Sequence, residues 1–103
     1  MDEPFEVRYL PLFESDLASV CDHIALALQN PQAALRLIED TERAILKRSY
    51  NPLSFKPFYS IKNRKHPYYR INIRNYVVFY VVIGNIMEVR RFVYSKRNLT
   101  DML

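Results

Sequence analysis

The sequence predicts one α+β domain in which a helical hairpin packs on one face of an antiparallel sheet. Two amphipathic helical segments follow a short N-terminal strand. Three consecutive strand-like segments then occupy residues 68–94 as a three-stranded meander. Gly84-Asn85 separates the last two strands, because glycine supplies the positive φ that a two-residue hairpin turn needs. The predicted order is β-α-α-β-β-β, in a single domain that covers residues 1–103.

The N-terminal quarter of the chain carries a strand and a helix. Residues 5–10 alternate between apolar and polar side chains, and Pro11 ends the strand. Ser15 is the predicted N-cap of the helix, and Asp16 complements the helix dipole. One apolar stripe follows at helical spacing: Leu17, Val20, Cys21, Ile24 and Leu28. Since Cys21 belongs to this stripe, we expect a buried structural thiol rather than a nucleophile.

A second helix begins after a break in the pattern at Asn30. Asn30 caps this helix, and Pro31 suits its first position because the proline ring already fixes a helical φ. The helix is predicted to run to about residue 49. Its inner side carries Ala34, Leu37, Ile38, Thr41, Ile45 and Arg48. The tight connection makes the two helices an antiparallel hairpin.

The three C-terminal strands differ in how many of their faces are apolar. Residues 68–74 alternate, residues 76–83 are apolar on both faces like a central strand, and residues 86–94 complete the meander. The helices are expected to cover the face that carries Tyr69, Ile71, Ile73, Val89 and Val93. The opposite face is expected to be open, with Arg70, Asn72, Arg74, Arg90 and Tyr94 on it. Arginines beside a tyrosine on an open sheet suit a polyanion.

Charge is unevenly distributed along the chain. Residues 1–46 hold nine acidic and three basic side chains, whereas residues 47–103 hold two acidic and twelve basic ones. This separation predicts a positive field over one side of the fold, which attracts RNA, DNA or an acidic protein. The single cysteine excludes an intramolecular disulfide and favours a reducing compartment. Because no apolar run approaches about 18 residues, the sequence predicts a soluble, cytoplasmic protein with no membrane partner.

Several common catalytic and cofactor motifs are absent from the sequence. It contains no glycine-rich phosphate loop, no Cys or His cluster at metal-ligand spacing and no GxSxG motif. No metal or other cofactor is therefore predicted. An enzyme built on this chain would have to use Arg, Lys, Tyr or Glu side chains.

Four segments have a distinctive order and spacing: FEVRYLPLFESDL, NPQAALRLIEDTERAI, YRINIRNYVVFYVV and VRRFVYSKRNLTDML. They resemble the RelE/ParE toxins of bacterial type II toxin–antitoxin systems and cover nearly the whole chain. The resemblance implies a small toxin with the RelE-like fold that a cognate antitoxin protein neutralises. RelE-like members cut mRNA in the ribosomal A site without a metal, and ParE-like members inhibit DNA gyrase.

Carried over position by position, the resemblance implies a catalytic site on the open face. Arg70 matches the arginine that contacts phosphate in the RNA-cleaving members. Tyr94 lies where these members often carry a catalytic aromatic residue or a histidine. Arg91 or Arg90 is expected to stabilise negative charge on the phosphate, since guanidinium groups match phosphate oxygens. The basic residues expected to bind RNA are Lys62, Lys65, Arg74, Arg90 and Arg97.

Metal-free cleavage sets the chemical requirements of such a site. The 2′-oxygen attacks the adjacent phosphorus, so a base must take its proton and an acid must protonate the leaving 5′-oxygen. Tyr94 can act as base or acid only if neighbouring arginines lower its pKa from about 10. Glu88 is another candidate base, although an ion pair with an arginine is the simpler expectation for it.

The sequence favours an mRNA endonuclease that works on the ribosome, and it leaves two alternatives open. One is a non-enzymatic inhibitor that binds DNA gyrase, and the other is an inactive member of the family. In each case, the basic half of the chain predicts an antitoxin whose binding segment is acidic and amphipathic.

Overall fold

A computed structural model describes residues 3–57 and 65–96, and within them the chain forms a four-stranded sheet with helices packed on one face. The elements, in chain order, are β1 (Glu6–Tyr9), α1 (Pro11–Asp22), a π-helical turn (His23–Ala27), α2 (Pro31–Arg48), β2 (Tyr69–Ile73), β3 (Tyr76–Ile83) and β4 (Ile86–Tyr94). This order confirms the predicted α+β fold.

The strands lie in the order β1-β4-β3-β2. β2, β3 and β4 form the predicted antiparallel meander, whereas β1 pairs in parallel with β4 and places Val7 opposite Met87. The sheet is therefore mixed at this edge, where the sequence predicted an antiparallel arrangement. A hairpin turn fixes the direction of neighbouring strands, but β1 and β4 lie near opposite ends of the chain and share no such turn.

The first helix starts earlier than predicted. α1 begins at Pro11, so Ser15 is not its N-cap, and Leu10 holds the N-cap position without a side-chain hydrogen bond. Proline needs no N–H partner in a first turn, so the residue that ends β1 also starts the helix. The earlier start brings Phe13 into the core, where its exposed fraction is 3%.

The π-helical turn changes which residues of this helix are buried. The backbone N–H of Leu28 donates to the carbonyl of His23 at 3.1 Å, five residues back. A π-helical turn holds an extra residue, so the predicted apolar stripe rotates away from the core along it. Cys21 is buried as predicted, whereas Leu28 is 60% exposed.

The second helix follows its prediction closely. The side chain of Asn30 accepts a hydrogen bond from the Ala33 N–H at 3.1 Å, which confirms the cap, and Pro31 follows at the start of α2. The buried residues of α2 are Ala34, Leu37, Thr41 and Ile45, all on the predicted inner side.

A β-bulge in β4 changes the faces on which its last residues lie. Phe79 pairs with Arg91 but Tyr80 pairs with Val89, so Arg90 is an extra residue in the ladder. Beyond the bulge, Phe92 takes the place under the helices that strict alternation assigned to Val93. The predicted position of Val93 is therefore wrong.

Apolar clusters form on both faces of the sheet. Under the helices, the cluster includes Phe13, Leu37, Ile45, Tyr69, Ile71, Val78, Tyr80, Met87, Val89 and Phe92. On the face turned away from the helices, which we call the far face, a smaller cluster buries Tyr68, Val77, Phe79, Val81 and Val93. Contrary to the sequence prediction, the far face is thus not fully open to solvent, because it has an apolar centre beside its charged side chains.

Candidate functional site

Arg70 lies on the far face, as predicted. It is an exposed residue of β2 and pairs across the ladder with Phe79. Its backbone carbonyl accepts a hydrogen bond from Arg48 Nη1 at 3.2 Å, which ties the strand to the end of α2. The side chain of Arg70 therefore projects from a backbone that is held on both sides.

Tyr94 lies on the other face, together with the helices. Its ring meets the edge of Tyr76 with 6.0 Å between centroids, and Tyr76 stacks on the buried Phe92 at 5.0 Å. Tyr94 as a residue is 40% exposed. Because the bulge at Arg90 shifts the alternation by one residue, Tyr94 and Arg70 do not converge as predicted.

Arg91 forms a two-point ion pair with Asp16 of α1. Its Nε lies 2.7 Å from Asp16 Oδ2 and its Nη2 lies 3.2 Å from Oδ1, with only 20% and 15% of the two side chains exposed. Asp16 Oδ2 also accepts the backbone N–H of Phe92 at 3.0 Å. The predicted catalytic arginine thus fastens α1 to β4 at the strand edge that β1 does not cover.

Arg90 belongs to a charged cluster on the far face. Its Nε lies 2.8 Å from Glu88 Oε1, and its Nη1 donates to the Tyr68 hydroxyl at 3.3 Å. Arg8 Nη1 contacts the other oxygen of Glu88 at 3.3 Å. Burial alone would lower the pKa of Arg90, but the Tyr68 hydroxyl and the Glu88 carboxylate raise it overall. The expected pairing of Glu88 with an arginine is confirmed.

Arg74 also departs from its predicted place on the open face. It lies in the β2–β3 turn at φ +54° and forms an ion pair with Asp40 of α2. Lys65 is exposed, but it precedes β2 and is not part of the sheet. Lys62 and Arg97 lie outside the described residues, so their predicted roles stay predictions.

Arg48 connects more elements than the sequence indicated. Its Nη1 donates to the Tyr80 hydroxyl at 3.0 Å, and its guanidinium lies 3.5 Å from the ring centroid of Phe55. The Tyr80 hydroxyl in turn donates to the carbonyl of Pro52 at 2.7 Å. Burial raises the pKa of Tyr80, which therefore stays a neutral donor. In the sequence, this connecting role was indicated by the position of Arg48 on the apolar stripe of α2.

An acidic groove and a basic cavity lie near the helices. The groove, about 260 Å³, lies between α1 and α2 and has Cys21, Glu14 and Glu42 among its lining residues. The cavity, about 500 Å³, has Arg36 and Arg74 among its lining residues. Burial raises the pKa of the Cys21 thiol, which agrees with a structural role.

Two further observations concern cofactors and membranes. Among residues 3–57 and 65–96, no group of three or more His, Cys, Asp or Glu side chains is placed to hold a metal ion. Within the same ranges, no helix has the length and apolar character to span a membrane.

Comparison with known proteins gives a fold and a family. A solved structure described as the chromosomal ParDE toxin–antitoxin system from P. aeruginosa has a TM-score of 0.72 and 13% identity, over 89% of this chain and 97% of that chain. At this identity the likeness shows a shared fold. No curated protein matches the sequence. Residues 7–99 match the family model described as ParE toxin of type II toxin-antitoxin system, parDE. Since that match spans nearly the whole chain, the chain belongs to the ParE toxin family.

Proposed function

We propose that this chain is a toxin that acts by binding DNA gyrase, without catalysing a reaction, and that a cognate antitoxin neutralises it. Membership of the ParE family supports the toxin and the antitoxin. The separation of Arg70 from Tyr94 by the bulge at Arg90 is the observation that favours binding over mRNA cleavage. A proton-transfer group must lie within hydrogen-bond reach of the reacting atoms, and the sheet stands between these two side chains.

The charged contacts also argue against an mRNA endonuclease. Arg91 is neutralised by Asp16, and Arg74 contacts Asp40. Arg90 contacts Glu88, so this carboxylate is a poor candidate for the general base. Stabilising the transition state of phosphodiester cleavage needs cations that can approach the phosphate. Arg74, Arg90 and Arg91 are therefore better suited to holding the fold together than to binding a phosphate.

The decisive experiment measures both activities of the purified chain in parallel. We expect it to block supercoiling of relaxed plasmid by gyrase and to produce no new mRNA 5′ ends in translating ribosomes, as read by primer extension. Tyr94→Phe should leave the block of supercoiling unchanged, because inhibition by binding does not require this hydroxyl to transfer a proton.

Other results would select the alternatives. New 5′ ends without a block of supercoiling would contradict the proposal and favour the endonuclease, and their loss in Tyr94→Phe would assign the proton transfer. Neither activity, from a chain with a cooperative thermal melt, would indicate an inactive member of the family.

A further inference from the structure

A cavity of about 500 Å³ lies between the turn that joins the helices and the β2–β3 turn. Asn30 and Arg36 line it from the start of α2, and Arg74, Asn75 and Tyr76 line it from the sheet. Its wall also includes the exposed Leu28. A volume of this size lies within the usual range for binding pockets, and the mixture of polar groups with an apolar wall is typical of them.

Three backbone irregularities surround this cavity. The π-helical turn His23–Ala27 leads into it, and Gln29 follows with φ +53°. On the opposite side, Arg74 has φ +54°. Non-glycine residues at positive φ cost free energy, and such strain and π-helical turns both concentrate at functional sites. Here the strained turns hold Leu28 and Arg74 at the two sides of one opening.

The charges of the lining define what the cavity accepts. Two arginines line it, and none of its described lining residues carries a carboxylate. Asp40 forms an ion pair with Arg74 but does not line the cavity, whereas Arg36 is exposed and makes no ion pair with any residue of ranges 3–57 and 65–96. The groove between the helices differs, because Glu14 and Glu42 line it. The cavity is therefore complementary to an anion that has an apolar neighbour.

We propose that this cavity docks an acidic, apolar segment of a protein partner. A carboxylate of that segment contacts Arg36, and an adjacent large apolar side chain packs on Leu28. Arginine and aromatic side chains at one concave site are typical of the residues that dominate binding energy in protein interfaces. A nucleic-acid strand would instead need a row of cations along its backbone. The inference deepens the proposed function, since it names a surface for a protein partner, but it can be tested without gyrase.

The test is an NMR titration of the full chain with two synthetic peptides. One is the blocked pentapeptide Gly-Leu-Glu-Phe-Gly, and the other has glutamine in place of glutamate. We expect the glutamate peptide to shift the amide signals of residues 24–37 and 73–76 and to bind about tenfold more tightly than the glutamine peptide. Leu28→Ser, at an exposed position, should weaken the binding of both peptides.

Charge reversal on α2 supplies the matched pair of variants. Arg36→Glu should abolish the preference for the glutamate peptide, whereas Lys47→Glu makes the same change in net charge on the same helix outside the cavity and should preserve it. The amide spectrum of each variant reports whether it is folded.

Three outcomes would overturn the inference. These are equal affinity for the two peptides, signal changes confined to other residues, and displacement of the glutamate peptide by a short RNA oligonucleotide at equal concentration. If the peptide docks in the cavity but gyrase stays active, the proposed function fails and this inference stands. If gyrase is blocked but glutamate is not preferred over glutamine, this inference fails and the proposed function stands.

Discussion

At the scale of single residues, ion pairs of Glu88 and Asp16 join parts of the chain that lie far apart in sequence. Glu88 was expected to pair with an arginine and contacts two, Arg8 and Arg90. Arg91 was expected at a catalytic site, yet it holds Asp16, which is 75 residues away in the chain. The local pattern around Asp16 indicated only a favourable interaction with the helix dipole. No local pattern specifies a contact that depends on how a helix crosses a strand.

The ion pair between Asp16 and Arg91 predicts a clear loss of stability on truncation. Asp16→Ala should lower the free energy of unfolding by about 3 kcal/mol, because it leaves the Arg91 guanidinium and the Phe92 N–H without a partner in a partly buried site. Adding Arg91→Met should recover much of this loss, since no unpaired charge then remains. Urea titration followed by circular dichroism measures both. Asp40→Ala is the control, because its ion pairs with Arg43 and Arg74 are more exposed, and the loss there should be about 1 kcal/mol. Equal losses at the two aspartates would contradict the structural role of Asp16.

At the scale of elements, the sequence predicted periodic segments and missed the places where the period changes. α2 and its cap followed from an unbroken helical pattern. The π-helical turn and the bulge each add one residue, so Leu28 and Val93 fall on faces that strict periodicity did not assign to them. Such irregularities are set by packing across elements, and the predicted site depended on one of them, because Tyr94 follows the bulge.

The bulge itself predicts that Arg90 can be deleted without moving the residues after it to other faces. Deleting Arg90 would restore regular pairing, because Val89 already lies opposite Tyr80 and Phe92 opposite Val78, so Phe92 would stay in the core. We expect the deletion to leave the chain folded and to cost about 1–3 kcal/mol, mainly through the lost contacts with Glu88 and Tyr68. Arg90→Ala keeps the bulge and loses the same contacts, so its cost should be similar. Urea titrations of the two variants compare them, and a much larger loss on deletion would show that the bulge itself is needed for the packing of the strand.

At the scale of the whole molecule, the element order and the antiparallel meander were predictable because hydrophobic periodicity and one glycine turn encode them. The parallel edge strand was not, because no short connection sets its direction. Part of the charge separation persists in three dimensions. Glu14 and Glu42 line the groove between the helices, while Arg70 and Arg90, from the basic half of the chain, lie on the far face. The far face therefore carries basic side chains away from the acidic groove.

This polarity predicts that association with gyrase, the proposed target, depends on salt and on where charge is placed. The association rate constant should fall at least about tenfold between about 0.01 M and about 0.15 M salt, as the Debye length shrinks from about 30 Å to about 8 Å. Dissociation should change less, since close contacts are screened less than long-range steering. Arg70→Glu on the far face should slow association more than Arg43→Glu on the outer side of α2, where 73% of the arginine side chain is exposed. The two variants carry the same net charge. Surface plasmon resonance on immobilised gyrase therefore distinguishes the effect of where the charge lies from the effect of net charge. Equal slowing by both would show that net charge alone acts, and unchanged rates across the salt series would show that the positive far face takes no part in the encounter.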